Sequence, residues 1–507
     1  MQGKLSLLVA RLNSSDRRAH FISMAGGLSL LAASAFFLIS CGGSNSSVSP
    51  PPVPAIQNVN SSTDPSSPVG LPIEINGTGF QGSPGSVVFT QASSGITATV
   101  TPSAGGWSNT GIAVTVPAGN GTSNFTLPGT VTVAVKTSGG TSNTKDLTLI
   151  QSLTFDVNNV QWTAAAALPT ALTGLRAVAI PVSPTSAYVV TTGGFDGTAN
   201  TSNVFVGALD PTGVISAWAT STNILPENIA DHGMVEANSA NSLVPTGSVF
   251  IYVIGGQMDS ANTPGGTTAV YNAPFDPTMG TVGTWAQLKS TLPVSLVGPA
   301  LTLFNGSVYV VGGLKSDGTP SSDVYSAPVN TDGTLGTWTK AANAYPTPVS
   351  FASAFGFAGK LYVLNGDTAN STDPNAQGTA TGTQAVNFAS AINGVVGTWT
   401  ATSTTIKNRK KQIIWTAFGQ IIDAEGIYNG LPGSLELERS QVNPDSTLAS
   451  FNGITSAVGQ IGANVYNAAA VVSPLQSPTA TPRFILIGGQ SVALGTISGT
   501  VYVNTAP

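Results

Sequence analysis

Apolar residues in this chain come in short bursts, and six of the bursts end in a small-residue step. They read Ala187 to Gly194 (AYVVTTGG), Ile251 to Gly256 (IYVIGG), Val308 to Gly313 (VYVVGG), Leu361 to Gly366 (LYVLNG), Gln420 to Gly426 (QIIDAEG) and Phe484 to Gly489 (FILIGG). A tryptophan follows about 25–35 residues later in most copies. A self-similar period of about 50–60 residues predicts a repeat fold in which each unit is one supersecondary module. The tryptophan motif reads Ile215-Ser216-Ala217-Trp218, Val282-Gly283-Thr284-Trp285, Leu335-Gly336-Thr337-Trp338 and Val396-Gly397-Thr398-Trp399, and it decays to Leu448-Ala449-Ser450-Phe451 in the fifth repeat. The sixth repeat runs to Pro507 without it. Its counterpart, Val157-Asn158-Asn159-Val160-Gln161-Trp162, stands before the first glycine step. That order is expected when the outer strand of the last unit comes from the start of the domain, which leaves no open edge.

The arrangement over residues 151–507 resembles a kelch-type β-propeller of six blades. The resemblance implies that the glycine pair ends the second strand of each blade and that the tryptophan lies on the fourth, wedged between blades. The chain departs from the family at Asn365-Gly366 in blade 4 and at Ala424-Glu425-Gly426 in blade 5. Glycine is required where backbones approach too closely for a Cβ. Four antiparallel strands per blade put Phe195 to Asn203, Gln257 to Thr268, Leu314 to Ser322 and Asp367 to Thr383 on the face that also carries the blade-to-blade connections. Loops on a rigid scaffold are where binding usually sits.

Residues 54–150 read as a second all-β unit. Short runs such as Ile73 to Ile75, Ser86 to Phe89, Ile112 to Val116 and Thr130 to Lys136 are separated by turn residues. Val131, Val133 and Val135 alternate with Thr132 and Ala134, as a half-buried strand does. Gly77-Thr78-Gly79-Phe80, Trp107-Ser108-Asn109-Thr110 and Gly139-Gly140-Thr141-Ser142-Asn143 make the segment resemble the immunoglobulin-like IPT/TIG family. That resemblance implies a β-sandwich acting as a spacer, with Trp107 packed inside it.

Charge and cysteine usage locate the chain. Residues 1–40 carry Lys4, Arg11, Arg17 and Arg18, then an apolar run ending Leu38-Ile39-Ser40-Cys41, with the only cysteine of the chain. This resembles a bacterial lipoprotein signal peptide and implies cleavage before Cys41 and a lipid on its thiol. The expected partner is then a membrane in the cell envelope, reached through that lipid, with residues 41–53 as a Ser/Pro-rich tether. Only 8% of residues are charged, against about 25% in ordinary domains. Without residues 1–40 the balance is 13 − 21 = −8, which argues against nucleic acid.

The candidate chemistry is sparse. One histidine, His232, remains beyond residue 40, so no His/Cys metal cluster of the kind copper oxidases need is expected, and no cofactor. The segment Asp332 to Trp338 is out of register with a sialidase Asp-box. The four remaining arginines, Arg176, Arg409, Arg439 and Arg483, have no supporting motif. One cluster breaks the pattern: Lys407, Arg409, Lys410, Lys411, Asp423, Glu425, Glu436, Glu438 and Arg439 hold 9 of the 34 charged residues after position 40. Local rules break at functional sites. Lys407, Arg409, Lys410 and Lys411 are therefore read as a basic patch for an anionic ligand, and Asp423 with Glu425 as a carboxylate pair for acid–base work on a sugar. The competing reading is a degenerate blade that keeps a solvated, self-paired edge. His232, between Asp231 and Glu236, reads as a hydrogen-bonded structural residue before a general base. The expected function is recognition of a glycan or protein partner. The alternatives are a glycoside hydrolase or polysaccharide lyase in the central channel, or a purely architectural envelope protein.

Overall fold

The computed structural model describes residues 49–62, 65–151, 160–258, 265–371, 383–424, 426–428, 431–432, 437–454, 465–475, 483–491 and 495–505. Residues 1–40, Cys41, Glu425 and Glu436 lie outside these. The compact unit Pro50–Pro507 holds every described strand, and among the described residues there is no helix.

Two sheets come first. One joins Ala55–Val59, Pro72–Thr78 and Gly111–Thr115, and the other joins Ser66–Pro68, Lys145–Ile150, Gly129–Thr137, Ser86–Gln91 and Ile96–Val100. Ile73, Ile75 and Ile112 from the first share a buried cluster with Phe89, Val131, Val133 and Leu147 from the second. Trp107 is buried in this cluster, and its indole N–H donates to the Phe80 and Gln81 carbonyls at 3.1 and 3.0 Å.

Among the described residues six antiparallel sheets of four or five strands follow in chain order, beside two two-stranded pairs. Their first strands are Arg176–Ser183, Gly233–Ala237, Ala300–Phe304, Ser353–Phe357, Ile413–Ala417 and Ala469–Val472, and each sheet grows outward from there. The sixth sheet ends on Gln161–Ala165, which pairs with Val501–Thr505 over five residues. The strand supplied from before the first sheet thus completes the last one.

The glycine steps join one sheet to the next. Gly194, Gly256, Gly313 and Gly366 donate their N–H groups to Ile229, Leu296, Val349 and Arg409 of the following sheet, and Gly489 of the sixth sheet donates to Leu172 of the first. Both members of the first step, Gly193 and Gly194, have positive φ (61° and 104°). A Cβ on Gly193 would strike the Ile229 carbonyl, so side chains are excluded by the same contact that ties the sheets together. A second tie runs on the opposite side. The hydroxyls of Tyr252, Tyr309 and Tyr362 bond to Gly333, Gly394 and Ser446 in the turns of the next sheet. The tryptophans seal the same seams: Trp218 and Trp338 donate to the Ala166 and Ser290 carbonyls.

The N-terminal pair of sheets does not hang free. Asn58 Nδ2 donates to Ala240 O at 2.6 Å, the Ala358 N–H to Glu74 Oε2 at 2.7 Å, and Ser103 Oγ to Pro444 O at 3.0 Å. Ala113 is buried in one cluster with Phe355, Phe357 and Ala358. Cβ atoms at Gly106 and Gly111 would collide with the backbone at Pro444 and Ala358. These glycines let two backbones meet, so the spacer expected from the sequence is fastened along one side of the second, fourth and fifth sheets.

Candidate functional site

One position recurs just before each first strand. Gly174, Asp231, Gly298, Phe351, Lys411 and Asn467 all have left-handed backbones, with φ between 51° and 67°. The residue before each pairs with the residue after a glycine step: Thr173 with Phe195, Ala230 with Gln257, Val297 with Leu314, Ser350 with Asp367, Lys410 with Ile427, and Tyr466 with Gln490. The six are also bonded to one another. Asp231 N–H donates to Gly174 O, Gly298 to Asp231, Phe351 to Gly298, Asn467 to Lys411 and Gly174 to Asn467, at 2.7 to 3.0 Å. Five links of a six-membered ring are made from main chain alone.

Asp231 and Lys411 stand three places apart on this ring of six, so they face each other across it. Lys411 Nζ reaches Asp231 Oδ2 at 3.4 Å, with both side chains buried. The ammonium also sits 4.7 Å from the centre of the Phe351 ring. Burial works against the Asp231 charge, but Lys411 and Arg176 more than offset it and hold the carboxyl below the usual range. An ion pair thus spans the ring.

Next to the ring the first strands line a cavity in layers. Ala177, Met234, Leu301, Ala354, Ile414 and Ala470 form an apolar layer around a space of about 240 Å3. Two residues further along five of these strands come Ala179, Glu236, Leu303, Thr416 and Val472, around a second space of about 520 Å3. Asn60, Ser61 and Ser62 of the N-terminal sheets line that second space as well. Glu236 is its one carboxylate among the described residues. Burial pushes Glu236 up to about 7, although the Asn238 amide donates to it at 3.0 Å and Asn241 at 3.1 Å.

The structure relocates the charged cluster. Arg409, Lys410 and Lys411 are 0%, 1% and 5% exposed, so they make no open patch for an anion. Arg409 pairs with Asp423 and, at 2.9 Å, with Glu438. Lys410 pairs with Asp367 at 3.2 Å. The physical reason lies in the register. Arg409 fills the place that Ile229, Leu296, Val349 and Leu172 take in other sheets, accepting the same glycine-step bond. Burial pushes Asp423 up to about 7, against the pull of Arg409. Asn365 Nδ2 donates to Asp423 at 3.1 Å, so Asp423 is an interior anchor. Its expected partner for acid–base work, Glu425, lies outside the described residues. Arg409 pairs within the cluster, as the self-paired alternative expects, but Lys410 and Lys411 pair with other sheets, and all three are buried where that alternative expects a solvated edge. Lys407 is half-buried at the end of Thr400–Lys407.

His232 is fully buried, and its Nε2 lies 2.8 Å from Thr192 Oγ1 of the preceding sheet. Burial, helped by the Arg176 charge, pushes it down to about 3. It is neutral across the physiological range and unsuited to general base work there. Arg176 alone of the expected ligand residues keeps a partly exposed side chain at the cavity, at 27%. Sequence reasoning named Asp231 and Glu236 only as neighbours of His232. Counting from each glycine step to the next first strand would have put Asp231 and Lys411 on one ring.

No protein-family model matches the chain, and no curated protein does. A solved structure described as "Structure of YjhT" is similar at 13% identity, covering 66% of this chain and 95% of that one, with a TM-score of 0.44. Among the described residues no group of three His, Cys, Asp or Glu side chains is placed to hold a metal ion.

Proposed function

We propose that residues 151–507 form a six-bladed kelch-like propeller, closed by Gln161–Ala165, with residues 54–150 as an IPT/TIG-like sandwich docked against it. In this reading the chain is anchored in a bacterial envelope by a lipid on Cys41, and the loop-rich face binds a glycan or protein partner without transforming it. The ion pair across the ring carries the reading. With Lys411 and Asp231 bridging the ring, recognition on that face is read as surface binding and not as entry into a channel. Its loops display short polar turns. Asp196 accepts the Thr198 and Ala199 N–H groups, and Asp317 accepts from Thr319, which fixes loop shape without burying charge.

One observation favours the enzymatic alternative: burial pushes Glu236 up to about 7 inside a cavity, the direction a general acid needs. A single experiment separates the two. The detergent-solubilised protein is screened against immobilised glycans and read for both retention and product release. Replacing residues 196–199 by Gly-Ser repeats should weaken retention roughly tenfold or more, the scale of a few lost polar contacts, and Glu236→Gln should leave it unchanged. Product release that vanishes in Glu236→Gln would replace the binding reading with the enzymatic one.

The anchor makes its own forecast. Cys41→Ser should abolish incorporation of labelled palmitate and release the protein from the membrane fraction. Equal labelling of the two proteins would remove the lipoprotein assignment.

A further inference from the structure

We infer that two adjoining cavities, between the N-terminal sheets and the six first strands, form one binding site for a small organic amine. Its ammonium sits on Glu236 and its apolar body lies on a phenylalanine wall. This stands apart from recognition at the loop face, since none of the loops that form that face lines either cavity.

The charge balance leads to the cation. The interior carboxylates Asp231, Asp367, Asp423 and Glu438 each have a basic partner, in Lys411, Lys410 or Arg409. Glu236 has none among the described residues, and its oxygens accept only from the neutral amides of Asn238 and Asn241. No Lys, Arg or His lines either space. Burial therefore weighs on Glu236 with no cation to offset it. Val235 and Ala237 pack into a buried cluster, so strand alternation turns Glu236 toward the cavity. There it is half-buried and keeps surface that a ligand can reach. A carboxylate can accept about four hydrogen bonds, and an ammonium brings both donors and the missing charge. Partly removed from water, such a pair gains more than it would in solvent.

The apolar body has its own place. Leu303, Val472 and Pro474 are half-buried and line both the 520 Å3 space and a neighbouring one of about 400 Å3, so the two share a wall. Phe304, Phe355, Phe357 and Phe418 line the 400 Å3 space. Phe418 and Leu475 are half-buried there and keep apolar surface open to it. A carboxylate in one space and phenylalanines in the next suit an amine on a short chain that ends in a ring. The N-terminal sheets complete the site. Ser61 and Ser62 line both spaces. Asn60 and Ser61 have left-handed backbones, with φ of 52° and 46°. Glu74 fixes this turn, accepting from Ser61 Oγ at 2.6 Å. Its other oxygen is taken by the Ala358 N–H, which leaves Glu236 as the carboxylate for the ligand.

The test uses the full chain in detergent with phenethylamine as the probe. Phenethyl alcohol and phenylacetate match its shape without the positive charge, and methylamine keeps the charge without the ring. Affinity is read by saturation-transfer NMR against protein-free micelles. Phenethylamine should bind in the millimolar range or tighter, and each of the other compounds roughly tenfold more weakly or worse. Glu236→Gln should bring phenethylamine down to the level of phenethyl alcohol. Thr416 is exposed and lines both spaces, so Thr416→Lys puts a tethered ammonium in the site and should weaken phenethylamine roughly tenfold. That variant carries the test if Glu236→Gln does not fold. Phenethylamine held no better than any of the other compounds, binding unchanged in either variant, or no binding at all would each overturn the proposal.

Discussion

Replacing Arg409 by alanine is expected to lower the unfolding free energy by about 3–5 kcal/mol, the usual cost of stranding a buried charge. Arg409 is fully buried, and both Asp423 and Glu438 point at it. Removing it leaves two carboxyls facing each other between the fourth and fifth sheets. Asp423 already sits at about 7, against an ordinary 3.8. Its pKa is raised on folding, so its contribution is fully present below about pH 4 and is lost as pH rises to about 7. Without the guanidinium Asp423 rises further, because Arg409 was the group holding it down. The variant should therefore lose less stability at pH 5 than at pH 8, as measured by urea midpoints. A deficit under about 1 kcal/mol, or one flat with pH, would mean that the pair is not the anchor it looks. The other sheets suggest a rescue. Leu296 holds the place of Arg409, Val253 and Val310 that of Asp423, and Tyr271 and Tyr325 that of Glu438. Arg409→Leu with Asp423→Val and Glu438→Tyr should recover most of the loss, since buried ion pairs exchange for packed apolar groups at little cost.

The second large effect concerns the strand that precedes the first sheet. Deleting Gln161–Ala165 removes five register partners from Val501–Thr505. It also takes away Trp162, whose ring lies 5.6 Å from that of Trp415. Trp162→Ala alone should cost about 2–3 kcal/mol, below the range for a fully buried tryptophan because this one is half-buried. Deleting the strand should cost more and expose an unpaired edge. Amide hydrogen exchange at Val501 to Thr505 is the direct readout, and protection there should fall to that of an open edge. A deletion that melts like the intact protein, with these amides still protected, would show that the sixth sheet does not depend on the strand.

Much of the frame was legible because it follows from local rules. The glycine steps mark places where a Cβ cannot fit, and alternation in Val131, Val133 and Val135 marks a strand with one buried side. Trp162 could be matched to the end of the chain because its motif was missing there. The candidate site was much less legible. Lys410 and Lys411 look alike in the sequence, yet one pairs with Asp367 and the other with Asp231. The partners are 43 and 180 residues away (410 − 367 and 411 − 231), and nothing local announces them. A run of cations reads as a solvated patch because charges are seldom buried unless paired, and pairing is a long-range fact.

The sequence by itself determined the all-β class, the repeat and the places of closest backbone approach, since period and steric exclusion act within a few residues. Only the tertiary structure decided that the left-handed residues before the six first strands meet in one hydrogen-bonded ring. It alone set Asp231 opposite Lys411, turned the basic run inward, and left Arg176 at the edge of a cavity. Those outcomes depend on which side chains share a low-dielectric space, and that is fixed by how the sheets close on one another.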